Sequence, residues 1–459
     1  MRRGFGVRVR TGSILPLHRT FSYGLVALCS ALLSCFAAVS QTDDDARVRS
    51  LIRISMHADV VVRKYVGGGS CSAVACHGGI QPRSVTKVLQ NEYSTWVTED
   101  RHARAYAVLT EPLGRQMAAI LKIGPAEKAQ KCLVCHALSV GAGQREREFD
   151  LADGVSCESC HGPASGWLEP HIQPMARHAR MVELGLVDNK NLSVRTEQCL
   201  RCHLGAEGLS VDHEMIAAGH PDLTFELDSF TAVEPPHWVE KAADQKEPLN
   251  DALFGVRAWG VGQAIQLRES MLRVTRRAGD KSGPWPEFSE MDCMTCHHSL
   301  TGPLSWRQKE GYDGRRPGDP PYNLARYVVF RHLADEVDAP LNGELRDAVG
   351  KVAALITAMS PNRGAVESAA RQAAGLADRM VAEVRDAKYD RARTDRLLRA
   401  IAGDSDAISE QGERSALPLS NSRPVASRRH PNGYDRPPRA CRFPPASHKW
   451  QSLGLPRHR

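Results

Sequence analysis

The sequence predicts a mainly α-helical protein with long irregular connections, whose core is completed by flat bulky groups that are not side chains. Three observations carry this. CxxCH is written four times, at Cys132-Leu-Val-Cys135-His136, Cys157-Glu-Ser-Cys160-His161, Cys199-Leu-Arg-Cys202-His203 and Cys293-Met-Thr-Cys296-His297, and a wider version, Cys71-Ser-Ala-Val-Ala-Cys76-His77, precedes them. Several stretches repeat apolar residues at three- and four-residue spacing, the helical period. With 10 Phe, 9 Tyr and 7 Trp in 459 residues, aromatic side chains are few for a chain of this size.

CxxCH is the attachment pattern of c-type haem: two thiols one helical turn apart add to the vinyl groups, and the adjacent imidazole reaches the iron. Zinc ribbons and disulfides also use cysteine pairs, but neither needs a histidine after every second cysteine. The expected cofactor is therefore haem c, five in number. The covalent anchors are Cys71, Cys76, Cys132, Cys135, Cys157, Cys160, Cys199, Cys202, Cys293 and Cys296, and the proximal ligands are His77, His136, His161, His203 and His297. In the wide motif the longer loop must bulge between its thioethers. Ser72, Ala73 and Ala75 within it, and Gly78-Gly79 after it, make that bulge sterically easy.

The elements follow in chain order. Residues 1–40 read as a signal peptide: Arg2, Arg3, Arg8, Arg10 and Arg19, an apolar run from Tyr23 to Val39, then the small-x-small site Ala38-Val39-Ser40. Export to the periplasm follows, and haem is attached there. A retained anchor, or a lipoprotein cut before Cys35, are the membrane-associated alternatives. Residues 41–310 hold every motif, with helical patterns at Glu92–Leu109 and Ala252–Ala278 and extended chain expected through the β-favouring Leu223–Phe230. Residues 320–402 contain no cysteine and read as a helical segment packed on the haem region: Asn323–Val337, Leu341–Met359 and Ala365–Ala387, with a turn at Pro361-Asn362-Arg363-Gly364. Residues 403–459 read as a basic disordered tail, dense in Arg, Pro and Ser and holding Cys441.

Charge has to be divided by region. The chain carries 60 basic and 53 acidic residues, a net of +7. Five of the arginines lie in the leader, and the stretch from 414 onward is strongly basic, so the body between them is net acidic. A nucleic-acid-binding function is excluded on that ground, since the positive charge sits in a removable leader and a tail. The expected partners are redox proteins.

The sixth ligand of each iron decides between electron transfer and chemistry on a bound molecule. His102, His171, His213 and His220 are the leading distal candidates, because they are spare histidines inside the haem region. His57, His237 and His298 come after them, and Met215 and Met175 are thioether alternatives. His178, His332, His430, His448 and His458 read as ordinary histidines.

The wide first motif, Tyr93-x-x-Trp96 ahead of His102-Ala-Arg-Ala-Tyr106, the stretch GVSCESCHGP at 154–163 with His171 after it, CLRCH and HEMIAAGHP resemble the multihaem cytochromes c of the c-552/4 type. These are relatives of the tetrahaem cytochrome that accepts electrons from hydroxylamine oxidoreductase. The resemblance covers about residues 55–300. It implies closely stacked haems in a largely helical fold, mostly held by two histidines each, with His102, His171, His213 and His220 as distal ligands. The chain departs from that relative in its fifth motif and its added helical segment.

Two function classes remain. One is an exported electron carrier with no catalytic residues, for which several haems in one chain supply a continuous path. The other is an oxidoreductase with one open-site haem acting on a small nitrogen or sulfur compound. The sequence has no CxxCK variant of the kind that marks the active haem of multihaem nitrite reductases, and it has enough spare histidines to close every iron, which favours the carrier.

Overall fold

The computed structural model describes residues 63–83, 88–238, 253–293, 296–297 and 319–410. The expected leader, His57, His298, Cys441 and the histidines of the tail lie outside the described residues. Every described residue belongs to one unit, residues 58–459. The protein is mainly α-helical, as its sequence predicts. Among the described residues the β contacts are isolated bridges, Tyr65 with Arg145, Ala206 with Leu209 and Met291 with Tyr322.

From residue 63 to 238 the chain makes short helices joined by irregular connections: α1 (Glu92–Glu99), α2 (Pro112–Leu121), α3 (Gln130–His136), α4 (Cys157–His161), α5 (Leu168–His171), α6 (His178–Glu183), α7 (Leu192–Leu200), α8 (His213–Ala217) and α9 (Leu227–Val233). Helices this short are marginal without tertiary support. Their own apolar clusters are small, Leu109 with Ala118, Ala126, Leu133 and Ala137 in one, Val66 with Ala164, Trp167 and Met181 in another.

The long helices are α10 (Phe254–Gly279), α12 (Phe330–Ile356), α13 (Arg363–Asp386) and α14 (Arg391–Gly403), with a single turn, α11 (Ala325–Val328), ahead of α12 and a last turn, α15 (Ser405–Glu410). Helix α10 lies along α13, and α12 packs on α13 beside it. Val261, Ile265, Met271 and Val274 of α10, Leu333, Leu345 and Val352 of α12, and Ala373, Ala377, Met380 and Val384 of α13 are almost completely buried. Alanines on α13 let the helices approach closely. Gly260 of α10 serves the same end, since a Cβ there would lie 2.6 Å from Leu333 Cδ2.

Helix α10 also connects the two parts electrostatically. Arg273 and Arg277 both reach Glu290, at 2.7 and 2.6 Å, just ahead of the last motif, while Arg268 binds Glu197 on α7 and Asp378 on α13. Burial alone would push the Glu290 carboxyl up, but the two guanidiniums outweigh it and hold it at about 2. A carboxyl whose folded value lies below its ordinary 4.5 contributes stability that is present above that value and is lost as pH falls toward 2. Thermal midpoints followed from pH 6 downward should therefore fall within this window. In Glu290→Gln that component of the acid dependence should be absent, and the midpoint at neutral pH should be lower, as expected when one partner of a buried pair is removed at a cost of about 3–5 kcal/mol.

Three sequence expectations are revised. The stretch Leu223–Phe230 is not extended throughout: α9 begins at Leu227, where the Glu226 carboxylate caps the N–H groups of Asp228 and Ser229. The helix expected at Glu92–Leu109 ends at Glu99, where Asp100 turns extended, and 3-10 turns at Arg101–Arg104 and Ala107–Thr110 follow it; the break between the helices expected at Asn323–Val337 and Leu341–Met359 is found, at Asp338 in α12, two residues before Pro340. The chain stays ordered past 402, inside the stretch expected to be a disordered tail, because Asp404 ahead of α15 is held by Arg331 and His332 of α12. No helix among the described residues is long and apolar enough to cross a membrane.

Candidate haem-binding site

Four of the five motifs sit on or at the end of a helical turn. The second is α3 and the third is α4, while the fourth closes α7 and continues as a single π turn, Arg201–Gly205. In the last, the amides of Cys296 and His297 both donate to the Cys293 carbonyl, at 3.2 and 2.9 Å. The first motif is a different object. Its extra residues form a tight loop in which the Cys76 and Gly78 amides donate to the Ala73 carbonyl and the His77 amide donates to that of Cys71. Glu158, inside the third motif and buried, accepts from the amides of Val66, Gly67 and Ala164 at 2.7 to 3.0 Å. Charge-assisted bonds of this kind fix the segment entering the first motif against the third.

Every motif histidine faces one further histidine across a gap of nearly constant width. Ring centroids are 6.3 Å apart for His77 and His171, 6.3 Å for His136 and His220, 6.5 Å for His161 and His237, 6.1 Å for His203 and His102, and 6.4 Å for His297 and His213. With metal-to-nitrogen distances of roughly 2 Å and ring centres about 1 Å further back, two imidazoles on opposite sides of one iron have centroids about 6 Å apart. The donor set therefore fits haem at each motif. The thiols fit it as well: all ten motif cysteines are free. Cys160 is exposed.

Residues 71–162 match the family of cytochrome c554 and c-prime. Over that stretch the chain is similar to the c554-type cytochromes c. No curated protein and no solved structure matches it. The match supports a c-type cytochrome of electron transfer, and the matched stretch holds the first three motifs together with His102.

The hydrogen bonds around the paired rings determine which nitrogen faces the slot. Nδ1 of His136 lies 2.9 Å from the Ala105 carbonyl, that of His220 2.7 Å from Pro221 and that of His237 3.2 Å from Pro235; Nδ1 of His171 bonds the Leu168 carbonyl. Nδ1 of His77 and of His102 meet carboxylates, Glu92 at 2.8 Å and Asp100 at 3.0 Å. In all six rings the acceptor beside Nδ1 selects the neutral tautomer with its proton there, which leaves Nε2 for a metal ion. Burial pushes His161 and His203 down to about 4, and the neighbouring His237 and His102 act in the same direction. Both rings are thus neutral at physiological pH. The remaining described histidines are engaged elsewhere, His178 with Asp188 and His332 with Asp404.

The structure brings all four leading distal candidates, His102, His171, His213 and His220, opposite motif histidines. It adds His237, which the sequence ranked lower. Rigid Pro235-Pro236 immediately before it was the available signal. Of the two thioether candidates, Met215 is buried and Met175 exposed, and neither belongs to a paired set of rings. Glu92, Asp100 and Glu158 escaped sequence reasoning, because an acid close to a histidine in sequence is commonplace and its contact is a matter of folding.

The motifs also touch one another. The Cys71 thiol lies beside that of Cys157, Cys135 beside Cys202, and Cys160 beside Cys199 and Cys202. His220 and His213, which face the second and fifth motifs, bracket α8, and Lys131 in α3 pairs with Asp212 just ahead of it.

Proposed function

We propose that this cytochrome is an exported, periplasmic carrier of five covalent haems, each closed by two histidines, that relays electrons between protein partners. The observation that carries the reading is the set of five histidine pairs at 6.1 to 6.5 Å. Bound haem supplies a one-electron Fe(III)/Fe(II) couple. The chain does the rest: the paired thiols would hold each macrocycle covalently, the paired imidazoles would ligate its iron, and Nδ1 hydrogen bonds hold those imidazoles in orientation. Proximity of cysteines in the first four motifs, with the Lys131–Asp212 pair ahead of α8 linking the second motif to the fifth, supports a spatial order of first, third, fourth, second and fifth, which differs from the order in sequence. Electrons would follow that order along one continuous path. The open-site alternative needs an iron with a single histidine, and the pairing of all five motif histidines counts against it.

The test is an absorption and EPR spectrum of the purified ferric protein, with carbon monoxide added after reduction. The expected result is low-spin signal only and little spectral change with the gas. The ring planes add detail. Those of His77 and His171 lie within 10° of each other, whereas the pairs at His136, His161 and His203 are crossed at 77° to 87°, so both a rhombic and a strongly anisotropic low-spin class should be present. A high-spin signal with one gas molecule bound per chain would favour the enzyme. Export is tested by the N-terminus of the mature protein, expected after Ser40.

A further inference from the structure

We propose that Asp100 and Glu92 are positioning residues that act through His102 and His77 to lower the reduction potentials of the two irons those histidines hold. The proposal rests on the bis-histidine reading above and goes beyond it, because ligation by itself makes the five irons alike. The structure separates them. His136, His171, His220 and His237 give their Nδ1 protons to neutral backbone carbonyls, while His77 and His102 give theirs to carboxylates.

Both carboxylates are held for that contact by the backbone. Asp100 is 7 % exposed, and its Oδ1 accepts from the His102 amide at 2.9 Å as well as from the His102 ring. Glu92 offers Oε2 to the His77 ring while Oε1 accepts from the Leu89 amide at 2.8 Å. Glu234 stands beside Asp100 and His102, with ligand atoms of all three within 4.8 Å of one another, and adds a second acid on that side. An anionic acceptor at Nδ1–H draws the proton away from the ring and makes Nε2 a more basic donor. A more basic ligand, and a negative charge held in a partly water-excluded site, both favour Fe(III) over Fe(II). The iron between His102 and His203 and the iron between His77 and His171 should therefore be harder to reduce than the iron between His136 and His220, whose two ligands both rest on carbonyls. In the proposed spatial order the two low-potential irons are those of the first and fourth motifs.

Asp100→Asn is the clean test, because the amide oxygen can replace Oδ1 in both hydrogen bonds and only the charge is lost. A spectroelectrochemical titration should show one of five components moved to more positive potential, the other four in place, and the low-spin EPR signals retained. Glu92→Gln should move a different component in the same direction. His102→Ala is measured alongside. If it creates a high-spin haem while Asp100→Asn and Glu92→Gln move no component, the tuning proposal is overturned and the ligation stands. If His102→Ala creates no high-spin haem, the ligation itself fails, and the proposal falls with it.

Discussion

His237→Ala is expected to convert one haem iron from low to high spin and to give the reduced protein one carbon monoxide site, with the other four haems unchanged. The reasoning starts from the slot. His161 and His237 are 6.5 Å apart, and Nδ1 of His237 is tied to the Pro235 carbonyl, so its Nε2 faces the motif ring. Alanine removes the sixth ligand and leaves the proximal bond and both thioethers of the third motif, so the haem stays attached and one axial position opens. Among the described histidines other than the motif ligands, the four leading candidates and His237 itself, only His178 and His332 remain, and each already bonds an aspartate. Neither is free to replace the lost ligand. His220→Ala should behave in the same way at the second motif. His178→Ala should leave all five irons low-spin, which separates loss of a ligand from a general effect of removing histidine. An unchanged low-spin count in His237→Ala would remove His237 from the ligand set.

What could be read in the sequence follows how local each determinant is. The covalent sites are local, three side chains within five or seven residues, and their spacing alone names them in the sequence. Long helices were legible because their period is a short-range property: Ala252–Ala278 was expected and Phe254–Gly279 is found, and the break in α12 at Asp338 falls between two expected helices. Leu227–Val233 failed because its aromatic and β-branched residues suggest a strand, while its start is set by Glu226, an unusual N-cap. Axial pairing is non-local. His161 and His237 belong to segments that meet only after folding, and no periodicity joins them. The carboxylates behind His77 and His102 were invisible for a further reason: Glu92 is fifteen residues from His77, and only the turn of the wide loop onto α1 brings them together.

The wide first motif bears on cofactor number, and Gly78→Ala should change that number. Intact mass of the mature wild-type protein should exceed the polypeptide by five haems. At Gly78 a Cβ would lie 1.8 Å from the Ser72 carbonyl oxygen and 2.6 Å from its carbon, distances at which no side-chain rotation helps because the obstacle is backbone. The loop must therefore open, which breaks the Gly78 amide bond to Ala73 and moves Cys71, Cys76 and His77 out of register with one another. Two thiols must reach two vinyl groups while the histidine reaches the iron, so a loop that cannot close costs the haem and not merely some stability. The expected mass of Gly78→Ala is that of four haems, and Cys71→Ser should likewise give four haems or one held by a single thioether. Gly69→Ala is the control, because a Cβ there meets nothing within 4 Å, and its mass should match the wild type. Four haems in the wild type, or five in Gly78→Ala, would mean that the cysteines of the wide loop do not anchor a haem in the way proposed.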